Sequence, residues 1–183
     1  MMANFTVPTR DQVTPSNQEI FDTLKSKLGM VPNLYATFAH SETALGNFLG
    51  FGAGKTSLTG QEQEAVNLIV SQLNGCRYCQ SAHTMLAKGQ GLSEDQILEI
   101  RGGGASFDAK LDALVKLAGN IVERRGKADQ ALVDAFLAAG YTEGSLVDLV
   151  LAVNKISITN YLHNLTQVPI DFPVAPELEK TIA

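Results

Sequence analysis

The amino-acid sequence predicts an all-α fold, a helical bundle, on three observations. Helix-start signals recur along it at helical intervals, glycines stand where those helices would stop, and no window sustains the period-two alternation with β-branched enrichment that marks a strand.

The elements follow in order. Ser16-Asn17-Gln18-Glu19 sets a hydroxyl three residues before a carboxylate, a pairing that satisfies orphan amides reciprocally, and the segment it opens, 16–28, stops at Gly29. Pro32 bars continuation and Asn33 suits a cap, so Gly29-Met30-Val31-Pro32-Asn33 reads as a stop and a restart into 33–39. A helix over 42–53 follows; Tyr35, Phe38, Phe48 and Phe51 fall at roughly helical spacing, as core residues or as the wall of an apolar pocket. Thr59-Gly60-Gln61-Glu62 opens 60–74, which ends at Gly75, and the next helix takes up directly over 76–90. Ser93-Glu94-Asp95-Gln96 opens 94–101, and Arg101-Gly102-Gly103-Gly104 reads as a flexible joint. The segment 107–125 ends at Gly126, where Arg124, Arg125 and Lys127 suit a helix C-terminus better than a phosphate site. Helices over 128–139 and 143–164 are separated by Gly140, and from Val168 a tail with Pro169, Pro173 and Pro176 is expected to be extended and to wrap a neighbour.

At 183 residues the chain can fill one core, so a single domain over 1–183 is the expectation. A net charge of −5 and no clustered basic face argue against nucleic acid or an anionic membrane as partner. Met1 to Gln12 carries no apolar core of a signal peptide and no stretch is apolar enough to span a bilayer, which leads us to expect a cytoplasmic protein. Short helices such as 33–39 and 94–101 bury little alone, so a homo-oligomer is expected.

The chemistry is concentrated in one place. The chain has two cysteines, Cys76 and Cys79, three residues apart, which excludes a secreted disulfide scaffold and points to redox or metal chemistry. Following Asn74-Gly75, the pair falls in the first turn of a helix, where free amides and the helix dipole favour a thiolate. His83 lies one turn beyond Cys79 on the same stripe and can move a proton to or from sulfur near neutral pH. If 60–74 and 76–90 form a hairpin turning at Gly75, Glu64 lies about as far before the turn as His83 lies after it, within roughly one helical turn, and the two can pair. Against these readings stand a zinc half-site lacking ligands for Cys76, Cys79 and His83, a solvated Glu64, and a non-catalytic interaction module. Glu62 is accounted for as the capping-box acid, and His40 and His163 as structural histidines.

The stretch 59–102 resembles the core motif of the alkyl hydroperoxidase D branch of the carboxymuconolactone decarboxylase family, in which a Glu stands twelve residues before a CxxC and a His four residues after it. Glu64, Cys76, Cys79 and His83 occupy those places. Val31-Pro32-Asn33-Leu34 and the helices after it resemble the front half of peroxidase-related members. The resemblance implies an alkyl hydroperoxidase D-like bundle that assembles as an oligomer and reduces organic hydroperoxides through the dithiol without cofactor or metal. In it Cys79 is the attacking thiol and Cys76 the resolving one, and a lipoylated or thioredoxin-like protein serves as reductant. The chain departs from the pattern at Tyr78, where a second histidine stands between the cysteines, and the departure predicts slower peroxide turnover or another substrate. Decarboxylases proper lack the CxxC; a decarboxylase-like acid–base enzyme is the alternative.

Overall fold

The computed structural model describes residues 5–178; residues 1–4 of the N-terminal stretch and 179–183 of the tail lie outside it. Among the described residues a 3-10 turn, Arg10–Gln12, precedes nine helices and there is no strand. The helices are α1 (Pro15–Leu28), α2 (Asn33–Phe38), α3 (Ala44–Phe51), α4 (Gly60–Leu73), α5 (Arg77–Gly89), α6 (Glu94–Arg101), α7 (Ala109–Glu123), α8 (Gln130–Ala138) and α9 (Glu143–Thr166). The bundle is thus the all-α fold expected.

Local chemistry explains most boundaries. Thr59 and Ser93 accept from the backbone N–H groups of Glu62 and Gln96, closing the two capping boxes read from sequence. Gly75 takes a left-handed φ of 68°, which lets α4 turn directly into α5; Gly29, Gly126 and Gly140 also lie in that region. Helices α3, α5, α7 and α8 begin one or two residues later than read from sequence, and two other starts differ in how they are capped. Helix α1 begins at Pro15 behind Thr14, not at Ser16, because a first-turn proline has no amide to lose and a φ already suited to the helix. Asn33 is the first residue of α2 rather than its cap, and its N–H donates to Asp171 Oδ2 at 2.7 Å.

The main core gathers around α4, whose Val66, Leu68 and Val70 are fully enclosed by α5, α7 and α9, chiefly by Leu114, Leu117, Leu149 and Ile156. A smaller cluster, Phe21, Ala36 and Leu45 among it, joins α1, α2 and α3. No single helix among the described residues is long and apolar enough to cross a membrane.

The tail corrects two expectations. What it wraps is its own chain and not a neighbour: residues 168–178 form a strap lying back across α5 and the start of α2, with Val168 and Ala175 only 2% exposed. The glycine-rich joint is not free either, because Arg101 is buried and its guanidinium donates to Gln72 Oε1, Gln80 Oε1 and the Pro176 carbonyl. Sequence-local signals for glycine and proline cannot register such long-range anchors.

Candidate active site

The first turn of α5, the middle of α4 and the inner face of α9 converge on the two sulfurs. Cys76 is the N-cap of α5: its Sγ accepts the Cys79 N–H at 3.2 Å, satisfying an amide that a helix start leaves free. Both cysteines are unbonded to each other and buried, with Sγ atoms 2.7 Å apart. Only small movement separates that arrangement from a disulfide, whose bond is about 2.05 Å long.

The α4–α5 hairpin delivers the expected register. Glu64 Oε2 lies 2.7 Å from His83 Nδ1, and Asn67 Nδ2 donates to the other carboxylate oxygen at 3.2 Å. With Nδ1 facing Glu64, His83 Nε2 is left to exchange a proton elsewhere. Burial lowers the His83 pKa, but the charge and hydrogen bond of Glu64 more than offset it, and the imidazole titrates above its ordinary value. Glu62, two residues earlier, is turned away: it closes the capping box at Thr59 and accepts from the Tyr141 hydroxyl at 2.7 Å.

The environment separates the two thiols. Cys79 is lowered to about 7, first by the hydrogen bond from the Cys76 thiol, against burial, and then by the charge of His83 and by Asn160 and Thr159. Cys76 moves upward, because it donates to Cys79, is buried, and faces the developing Cys79 charge. Of the pair, Cys79 alone borders a cavity of about 250 Å³. Tyr35, Tyr78, Phe172, Leu34 and Met85 wall that cavity, and His83 and Thr159 also open into it.

Several contributors escaped sequence reasoning. Thr159 Oγ1 lies 3.8 Å from Cys79 Sγ while donating its own hydrogen to the Ile156 carbonyl at 2.8 Å. Asn160 Nδ2 donates to Ser71 Oγ at 3.1 Å, and Asn160 Oδ1 accepts from Asn74 at 2.9 Å, pinning the amide beneath the hairpin turn. Two adjacent polar residues following Leu149, Val153 and Ile156 on the buried side of α9 were the available signal. Asp171 is the third: the Tyr78 hydroxyl donates to its Oδ1 at 2.6 Å and accepts from the Leu34 N–H at 3.2 Å. Tyr78 is therefore a tie between the CxxC turn, α2 and the strap. Burial and the Asp171 carboxylate push its pKa upward, so it keeps its proton.

His40 meets the Thr6 carbonyl at 2.8 Å, as a structural histidine should. His163 meets the Val168 carbonyl at 3.2 Å and packs on Tyr78 with ring centroids 5.2 Å apart, but its buried Nδ1 has no partner among the described residues. Tyr35 and Phe38 flank Phe48, and Phe51 is nearly half exposed. Among the described residues no group of three or more His, Cys, Asp or Glu side chains is placed to hold one metal ion.

Residues 39–118, which include Glu64, Cys76, Cys79 and His83, match the model of the carboxymuconolactone decarboxylase family. The match covers 80 of the 183 residues and is carried by the segment around the dithiol. Solved structures agree on the fold. A peroxidase-related protein from Silicibacter sp. TM1040 is 22% identical, with a TM-score of 0.78 over 89% of this chain and 88% of that one. A peroxidase-related protein from Ralstonia eutropha JMP134, described as an alkylhydroperoxidase AhpD core, is 18% identical, with a TM-score of 0.83 over 93% of each chain. The debrominase Bmp8, solved as a cysteine-to-alanine variant with 2,3,4-tribromopyrrole, is 17% identical, with a TM-score of 0.76 over 93% of this chain and 94% of that one. No curated protein sequence matches the chain. The bundle is thus shared by proteins described as peroxidase-related and by a debrominase.

Proposed function

We propose that this chain is a thiol-dependent peroxidase of the carboxymuconolactone decarboxylase family that reduces organic hydroperoxides through Cys79 and Cys76. The observation carrying the reading is that Cys79 alone opens on the apolar cavity, with Cys76 Sγ 2.7 Å behind it and the Glu64–His83 pair on α4 and α5 beside it. The Cys79 thiolate attacks the terminal peroxide oxygen, the O–O bond breaks, and the departing alkoxide takes a proton from the His83 imidazolium. Cys79 becomes a sulfenic acid and the peroxide an alcohol. The Cys76 thiol then condenses with the sulfenic acid, forming the disulfide and releasing water. An external dithiol, lipoylated or thioredoxin-like, restores both thiols by exchange and is itself oxidised.

The aromatic walls of the cavity favour one other substrate class for the same dithiol, an aryl bromide of the kind seen with the debrominase. There the products are the reduced arene, bromide with a proton, and the same Cys76–Cys79 disulfide.

Free thiols, substrate loss and bromide release, followed after one equivalent of cumene hydroperoxide or of a bromopyrrole, distinguish these readings. The peroxidase reading expects two thiols lost and one cumyl alcohol formed per chain, abolished in Cys79→Ser. Bromide release with peroxide untouched would transfer the assignment to dehalogenation. A lactone decarboxylation that survives Cys79→Ser would overturn both.

A further inference from the structure

Four polar side chains share the cavity with Cys79: Tyr35, Tyr78, His83 and Thr159. Three of them are already committed. Thr159 gives its hydrogen to the Ile156 carbonyl at 2.8 Å, and Tyr78 gives its own to Asp171 Oδ1 at 2.6 Å. His83 holds Glu64 through Nδ1, and its charge favours the Cys79 thiolate. The Tyr35 hydroxyl differs from all three. It has no hydrogen-bond partner among the described residues and is not shut away in the core, so it opens into the cavity with its hydrogen free.

The fold fixes where that hydroxyl stands. Tyr35 follows Asn33 and Leu34 in the first turn of α2, and their N–H groups donate to Asp171 Oδ2 at 2.7 Å and to Tyr78 Oη at 3.2 Å, so the strap and the CxxC turn together hold the start of this helix. The Tyr35 ring stands edge-on to Phe48, with centroids 5.9 Å apart. Burial first, and then the negative charges of Cys79 and Glu64, push the Tyr35 pKa upward. The hydroxyl is therefore within electrostatic reach of both groups and keeps its proton when Cys79 is a thiolate.

We propose that Tyr35 binds the leaving oxygen of the hydroperoxide, its hydroxyl donating a hydrogen bond to the alkoxy oxygen while the Cys79 thiolate attacks the terminal one. The assignment rests on the peroxidase reading above and adds to it a group that touches substrate. As the Cys79 sulfur bonds to the terminal oxygen, the electron pair of the O–O bond passes to the alkoxy oxygen, and the Tyr35 hydrogen bond strengthens against that growing charge. The cavity is walled mainly by apolar groups, where a fixed donor acts most strongly. The proton that completes the alcohol comes from the His83 imidazolium, and Tyr35 ends the step as it began. The contribution grows as the leaving group becomes poorer. A tertiary alkoxide needs such a donor, whereas the carboxylate that leaves a peracid does not, since carboxylic acids ionise at about pH 4.

Tyr35→Phe in the full chain tests this, because it keeps the ring against Phe48 and breaks no hydrogen bond within the described protein, so its urea midpoint should match that of the wild type. Oxidation of the reduced variant by cumene hydroperoxide, followed by stopped flow, should slow about 100-fold, the usual loss for one donor at a developing oxyanion. Oxidation by peracetic acid, and alkylation of Cys79 by iodoacetamide, should stay near wild-type rates. Equal slowing with both oxidants would mean that Tyr35 only shapes the cavity, and slower alkylation would mean that it acts on the Cys79 thiolate. Unchanged oxidation by cumene hydroperoxide would mean that it does not reach the leaving oxygen. Each of these overturns the assignment while leaving the peroxidase reading in place. A wild type that peracetic acid oxidises and cumene hydroperoxide does not would overturn that reading, and this assignment with it.

Discussion

Two residues separate Glu62 from Glu64, and that step turns their side chains roughly 200° apart around α4. Glu62 therefore faces Thr59 and Tyr141, and Glu64 faces His83. Substituting each by Gln separates the roles. Glu62→Gln weakens a capping box and a buried hydrogen bond, so unfolding in urea should show a loss of about 1–2 kcal/mol with thiol reactivity retained. Glu64→Gln removes what holds the His83 proton. The imidazole then titrates lower, its charge no longer favours the Cys79 thiolate, and the Cys79 pKa rises from about 7. Reaction of the wild type with peroxide should increase with pH through about 7, as Cys79 loses its proton. In Glu64→Gln that limb should move to higher pH; a profile that stays in place would separate Glu64 from the chemistry. At this scale the four motif residues were legible because a hairpin converts sequence offset into distance. Thr159, Asn160 and Asp171 were not, because they reach the site from 80 or more residues away and no offset encodes the packing of α9 or the strap.

The environment of the CxxC turn extends the division to its cysteines. Cys79 borders the cavity and Cys76 does not, so Cys76→Ser treated with one equivalent of peroxide should leave a sulfenic acid on Cys79 that a dimedone-type reagent traps. In Cys79→Ser, Cys76 should react slowly and with little dependence on His83. Preferential labelling of Cys76 would reverse the assignment.

Among the elements, the strap carries the least expected structure. Its proline spacing excluded a helix, as read from sequence, but the contacts that hold it are backbone carbonyls, a backbone N–H and one carboxylate. Arg77 donates to the Ala175 carbonyl at 2.8 Å, Ser81 Oγ accepts the Ala175 N–H at 3.1 Å, and Asp171 takes both the Tyr78 hydroxyl and the Asn33 N–H. Backbone groups look alike in any sequence, which is why the tail reads as wrapping a neighbour and not its own chain. The helices were legible for the opposite reason: caps and stops act within four residues, so α4, α5 and α6 begin and end within a residue or two of where their signals stand. Asp171→Ala orphans two donors at once and should lower stability by about 1–3 kcal/mol in urea titration. Because Tyr78 and Phe172 form part of the cavity wall, the same substitution should raise KM for cumene hydroperoxide more than for hydrogen peroxide, which needs no apolar wall. Equal effects on both substrates would mean that the strap stabilises the fold without shaping the cavity.

For the whole molecule, the homo-oligomer expected from the sequence would tie assembly to stability, and the exposed apolar residues of α9 are where a second copy would act. The sequence shows apolar residues on all sides of this helix, and only the packing of its inner face against α4 and α7 reveals which side remains for a partner. Thr159 lies on the buried side of α9 and Val147, Leu151, Ile158 and Leu165 on its exposed side, so a second copy that held α9 in place would also hold the hydroxyl 3.8 Å from Cys79. If two copies unfold together, mass action makes the melting temperature depend on concentration: each tenfold increase adds about 1.4 kcal/mol per dimer. Spread over the unfolding entropy of two chains of 183 residues, that is a rise of about 2 °C per decade. Calorimetry from 5 to 500 µM should show this slope in the wild type and none in Ile158→Glu/Leu165→Glu, whose melting should be lower at every concentration. A flat wild-type series would mean that α9 keeps its outer face in water, and that the fold stands on the inner face alone.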